Sequence, residues 1–365
     1  MHALPDGSTQ STVILGPDAV IDLQTAAETV ERAAGARGIA VEIHSTASAR
    51  EFEAAVRSAR PDTIVVPGSA LLPDVVDAAF VRVDLDARRR VVTAGVRVQI
   101  RGRGLDGLRY AVDSWYFNQR KPATVRSYGE HSDQQIDLRI PDGPGPHPVA
   151  VLIHGGYWKP WWDRDLMDAA AVDLTARGFA TWNVEYRRPG EYGWDATTDD
   201  VAASLAALES MADSLDLRRI AVLGHSAGGQ LAFRAGADAV SSGAVVQPSL
   251  LVSLAGVLDL RTADERHLGD GAVSMALGHR YSPESATYRL SSPIERLPIG
   301  IPQLTVCGAA DSSDLRDIAR RYTKTASTTT DLVDIVEGPG DHFAVIDPGS
   351  ELWRRTIDRM TDALT

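Results

Sequence analysis

The residues best suited to chemistry are Gly224-His225-Ser226-Ala227-Gly228-Gly229. They follow the apolar run Ile220-Ala221-Val222-Leu223 and precede Gln230–Gly236, which reads as a helix. This is G-x-S-x-G in a strand–turn–helix setting, the turn that lifts a serine above a sheet edge. Glycines flank the serine because the turn is sharp and side chains there would collide with neighbouring backbone. The helix start also favours developing negative charge. Ser226 is therefore the candidate nucleophile for acyl transfer.

Acyl transfer creates an oxyanion, and donors must be aimed at it beforehand. His154-Gly155-Gly156-Tyr157-Trp158 directly follows the apolar strand Val149–Ile153 and offers side-chain-free backbone for that purpose. The predicted oxyanion-hole donors are Gly156, Tyr157 and Ala227, with His154 bracing the loop. A triad on such a sheet runs serine, acid, histidine along the chain. Gln303–Cys307 reads as a strand with Asp311 just past its end, and Leu332–Val336 leads towards His342-Phe343. His342 would take the serine proton and Asp311 would hold the imidazole tautomer. Asp314 and Asp341 are rival acids; Asp311 is preferred from its place after the strand. Trp158 and His225 flank these residues and are the candidate substrate-pocket side chains. Tyr157, Trp158, Trp161, Trp162, Trp182 and Trp194 concentrate around the first loop, as core packing or as an aromatic pocket lining.

The scaffold that must hold these groups is legible in outline. The chain has 365 residues, 44% hydrophobic and 24% charged, which suits two domains with real cores. Residues 12–15, 40–43, 63–66, 81–83 and 95–100 read as strands. Helical spacing runs from Ile21 to Ala36 and over 48–59, with a further helix over 71–79 and another starting near Leu105. Alternation at these lengths implies a parallel sheet, and this unit ends near residue 110. Residues 114–148 lose helical period, 135–140 alternate as an exposed strand, and Pro141–Pro146 form a turn cluster. A second α/β series starts at Val149. The predicted domains are 1–110 and 111–365.

The formal charge of −12 argues against nucleic acid as a partner. Residues 1–108 hold 14 acids and 12 bases, against 35 and 25 in the remainder, so the negative charge lies on the catalytic side. That fits a neutral or cationic small molecule rather than an anionic polymer. Only three of the 37 bases are lysine, a bias without mechanistic meaning here. Arg88-Arg89-Arg90 reads as a solvated turn. The single cysteine, Cys307, excludes an intramolecular disulfide and a cysteine-built zinc site, and reads as a small buried hydrophobe. No H-E-x-x-H is present, so no metal and no cofactor is expected. No apolar stretch suits a membrane span and no signal-peptide layout opens the chain, so the default location is cytoplasmic.

From residue 110 onward the chain resembles the α/β-hydrolase superfamily, within it the kynurenine formamidase-like and esterase/lipase-like group. The resemblance rests on Tyr128-Gly129-Glu130, Gln135–Ile140, His154–Trp158, Gly224–Gly229, Ser291–Glu295, Asp311 and His342-Phe343. It implies a serine hydrolase acting on a small carboxylic ester, with an aryl formamide as the alternative substrate. A protein of another class, a binding or scaffold protein with a dead hydrolase half, is the remaining alternative.

The first 110 residues are similar to type II 3-dehydroquinate dehydratases, a flavodoxin-like fold, through Ile14–Pro17, Val41-Glu42, Ile64–Gly68 and Gly95–Val112. That family's loop with its catalytic Tyr and Arg is missing after Gly16-Pro17. Its catalytic Asn falls near Val66 and its His near Val83-Asp84. The resemblance therefore implies an inactive domain kept as scaffold or lid, and a homo-oligomer, since that family is oligomeric. Gly102–Gly107 fits G-x-G-x-x-G but sits at the last helix of its unit, the wrong place for a dinucleotide.

Overall fold

The computed structural model describes residues 10–364 apart from 21, 76, 77, 87–90 and 92. It divides into two units: Met1–Pro122 with Pro160–Asp168, and Ala123–Lys159 with Ala169–Thr365.

In the first unit, β1 (Gln10–Leu15), β2 (Ala40–Ser45), β3 (Ile64–Val66), β4 (Phe80–Asp84) and β5 (Val96–Arg101) form one sheet. All pairs are parallel, in the order β2-β1-β3-β4-β5. This is the flavodoxin-like order expected from the sequence. The helix Leu23–Arg37 starts where the Asp22 carboxylate accepts the Thr25 N–H and stops at Gly38 in the left-handed region (φ 68°). Ile21, the predicted start, lies outside the described residues. Ser48 caps the helix Ala49–Ser58. The helix expected over 71–79 is not found among its described residues, and Arg88-Arg89-Arg90 lies outside them.

The helix Asp106–Arg120 carries the first unit past residue 110, so the division falls at Pro122 instead. Its polar Ser114 and Asn118 break the apolar period yet are buried, because Asn118 Nδ2 donates to the Ser114 carbonyl at 2.9 Å. Asp113 meets Arg37 at 2.7 Å and Gln119 meets Asp62 at 2.9 Å. Residues 160–168 are held in this unit by buried ion pairs, Arg101–Asp163 at 2.8 Å and Arg103–Asp165 at 2.6 Å. The Arg103 guanidinium also lies over the Tyr110 and Trp162 rings. The aromatic group expected around one loop is thus divided, with Trp161 and Trp162 in the first unit.

The second unit is built on eight strands: β6 (Thr124–Ser127), β7 (Gln135–Arg139), β8 (His147–Ile153), β9 (Ala180–Val184), β10 (Leu215–His225), β11 (Leu250–Leu254), β12 (Gln303–Gly308) and β13 (Val333–Gly338). Their order is β13-β12-β11-β10-β8-β9-β7-β6. β6–β7 and β7–β9 are antiparallel and the remaining pairs parallel. The central strands are apolar and buried on both faces because helices cover both sides. β7, read from sequence as an exposed strand, is mostly buried, with Asp137 and Arg139 inside. No helix among the described residues is long and apolar enough to cross a membrane.

Candidate active site

Every candidate residue of the second unit lies at or just beyond the C-terminal end of a parallel strand, where open α/β sheets place their sites. Ser226 follows β10, Asp311 follows β12, His342 follows β13 and the His154–Trp158 loop follows β8. β8 lies directly beside β10, which brings the loop next to the serine.

Ser226 sits at φ 53°, ψ −116°, a conformation that L-residues rarely adopt and that marks a strained strand-to-helix turn. The turn is tight enough to exclude side chains beside it. A Cβ on Gly224 would lie 2.1 Å from the Gly228 carbonyl oxygen, and one on Gly228 would lie 2.1 Å from that of Ile153. Ser226 donates its N–H to the Leu254 carbonyl at 2.9 Å, tying the turn to β11. Ala227 opens the helix Ala227–Ser242, so its N–H is one of the amides a helix leaves without an internal acceptor.

The His154 loop bends through three successive residues at positive φ: Gly156 (111°), Tyr157 (53°) and Trp158 (56°). Lys159 closes the bend by donating to the Gly156 carbonyl at 3.0 Å. His154 is fully buried and donates from Nδ1 to the Gly155 carbonyl at 2.8 Å. Its Nε2 then accepts from Arg188 at 2.9 Å, and Arg188 also pairs with Glu185 at 2.5 Å. Tyr186 stacks on the His154 ring and donates to its carbonyl at 3.0 Å. The brace under the loop is therefore Glu185-Tyr186-Arg188, which sequence reasoning missed. Its available signal was charge at the end of the apolar strand β9.

The imidazole of His342 donates from Nδ1 to Asp311 Oδ2 at 2.9 Å, leaving Nε2 bare to take a proton. Asp311 Oδ1 accepts the Ser312 N–H at 2.6 Å. The rival acids are engaged elsewhere. Asp314 pairs with Arg266 at 3.0 Å, and Asp341 accepts the backbone N–H groups of Phe343 and Ala344.

Trp158 and His225, expected in the substrate pocket, are both buried. Trp158 packs edge-on to Trp194 within the apolar core, so it fills space beneath the loop instead of lining an opening. The His225 side chain donates to the His342 carbonyl at 3.0 Å. Tyr157 rests on Gly269, whose Cβ position would fall 2.6 Å from the ring. Burial, with Asp311, Asp270 and Asp314 nearby, raises the Tyr157 hydroxyl above its usual range and keeps it protonated. Cys307 is buried, and burial next to Glu337 pushes its thiol up to about 12. No group of three or more His, Cys, Asp or Glu among the described residues could hold a metal ion.

Sheet order, strained serine turn and flanking loop make the second unit an α/β-hydrolase fold. A family model, BD-FAE, matches residues 136–313. Among solved structures, a bacterial heroin esterase is 24% identical, with 67% of this chain and 85% of that one covered and a TM-score of 0.56. Esterase LipW from Mycobacterium marinum is 23% identical over 70% and 85%, with a TM-score of 0.58. A truncated carbohydrate esterase from gut microbiota is 18% identical over 66% and 95%, at 0.57. No curated protein matches the chain by sequence.

Proposed function

We propose that this protein is a serine hydrolase that cleaves a small carboxylic ester through Ser226, His342 and Asp311. The observation that carries the reading is the His342 Nδ1–Asp311 hydrogen bond, on a loop fastened to the residue beside Ser226. The fold likeness to structures described as esterases supports it.

Ser226 Oγ attacks the ester carbonyl carbon while His342 Nε2 takes the hydroxyl proton. Asp311 stabilises the imidazolium that results. The N–H groups of Ala227, Gly156 and Tyr157 receive the oxyanion, each such donor being worth ~3–4 kcal/mol. The tetrahedral intermediate collapses, the alcohol leaves with the proton from His342, and an acyl-enzyme remains. Water, deprotonated by His342, attacks the acyl carbon; the intermediate collapses, His342 returns the proton to Ser226 Oγ, and the acid is released.

The first unit acts as a non-catalytic scaffold. The positions where the dehydratase family carries its Asn and His are near Val66 and Val83, and both valines are buried in the sheet.

The test is hydrolysis of a panel of aryl esters, alkyl esters and N-formyl-kynurenine by wild type and Ser226→Ala, alongside fluorophosphonate labelling. Ester turnover and labelling that both vanish in Ser226→Ala are expected. Turnover unaffected by the substitution would overturn the assignment, and preference for the formamide would replace the ester with an amide.

A further inference from the structure

We infer that His225 is a positioning residue that clamps the base loop to the nucleophile turn. This inference rests on the triad proposed above. Three observations converge on it.

The first is the hydrogen bond. A carbonyl oxygen can only accept, so the 3.0 Å contact with the His342 carbonyl requires the proton on His225 Nε2. That bond joins residue 225, covalently next to the nucleophile, to the backbone of the base itself. The second is packing. The His225 ring lies 4.7 Å from the His342 ring and 5.8 Å from that of Phe343, so it is packed against the base loop as well as bonded to it. The third is fixation. His225 is 1% exposed, and its other nitrogen, Nδ1, is buried, has no hydrogen-bond partner among the protein's described atoms and faces Gly155.

Packing alone would be served as well by an apolar ring. The imidazole is useful for the one donor it sends to His342. Burial, with His342 and His154 close by, holds its pKa well below the usual histidine range, so the ring stays neutral. A neutral ring does not repel the imidazolium that forms on His342 during turnover. Gly155 fits the same picture, since a Cβ there would lie 2.8 Å from His225 Nδ1 and 2.9 Å from Ser226 Cβ. Nucleophile turn, oxyanion loop and base loop thus all meet at this side chain.

The experiment compares His225→Gln, His225→Leu, Ser226→Ala and wild type on a short-chain aryl ester, with thermal melting of each. A glutamine amide can place its nitrogen near the Nε2 position and keep the donor, whereas leucine removes it. His225→Leu is expected to fold while kcat falls about tenfold, equivalent to about 1.4 kcal/mol, with KM little changed. His225→Gln is expected to recover most of kcat. Wild-type kcat in a folded His225→Leu, or an equal loss in folded Gln and Leu variants, would overturn the clamp. If Ser226→Ala retained turnover, the triad reading would fail instead, so the two failures are distinguishable. Should Leu not fold, the Gln variant with Asn, whose amide cannot reach the Nε2 position, decides: Gln must exceed Asn in kcat.

Discussion

Replacing Asp311 by Asn tests the proposed triad with almost no change of shape. The two carboxylate oxygens have different partners: Oδ1 accepts the Ser312 N–H at 2.6 Å and Oδ2 accepts the His342 Nδ1–H at 2.9 Å. An amide can accept on only one side. If its oxygen stays on the Ser312 N–H, its NH2 group faces His342 and forces the imidazole proton onto Nε2. That is the atom that must accept the Ser226 proton. If the amide flips, His342 keeps the right tautomer but two donors face each other at Ser312, at ~1 kcal/mol for a partly exposed unmet N–H. Either way the carboxylate charge beside the imidazolium is lost, a further ~1.5–3 kcal/mol for a hydrogen bond to a charged group. Together these lower kcat by roughly 10²–10³, at about tenfold per 1.4 kcal/mol. KM for a short-chain aryl ester is expected to stay near wild type, because Asp311 is buried away from substrate. Asp314→Asn, whose carboxylate pairs with partly exposed Arg266, is expected to stay within about twofold. Steady-state kinetics of both variants, with circular dichroism to confirm folding, make the check. Near-normal kcat in Asp311→Asn, or a large loss confined to Asp314→Asn, would refute the assignment.

Two further predictions concern the loop and the first unit. Gly155→Ala places a methyl 2.7 Å from the His225 carbonyl oxygen and 2.9 Å from Ser226 Cβ. Overpacking there costs ~1–3 kcal/mol and falls on the nucleophile turn, so ester turnover should drop more steeply than the melting temperature; unchanged kcat would contradict the packing argument. Arg103→Met strips the buried Asp165 carboxylate of its guanidinium, a loss of ~3–5 kcal/mol that urea unfolding would register. A midpoint equal to wild type would show that the pair contributes nothing.

Much of the second unit was readable because its chemistry imposes local patterns. A serine on a sharp turn needs small neighbours, an oxyanion loop needs bare backbone, and both follow apolar strands that are buried on two faces. β6 escaped notice because all four of its residues are exposed and carry no apolar alternation. The sequence shows only the start of the helix Asp106–Arg120, because buried Ser114 and Asn118 look like surface residues until their partners are known.

The chain order of Ser226, Asp311 and His342 and the place of each after a strand were set by sequence alone, since strand ends and turn residues are local properties. Tertiary structure decided which of three aspartates meets His342, because Asp311, Asp314 and Asp341 share one composition and differ only in where their loops send them. It also moved Trp158 and His225 from the expected pocket into the interior, and it assembled Glu185, Tyr186 and Arg188 beneath the His154 loop. Such pairings join residues far apart in the chain, and the meeting of β8, β10, β12 and β13 at one sheet edge fixes them.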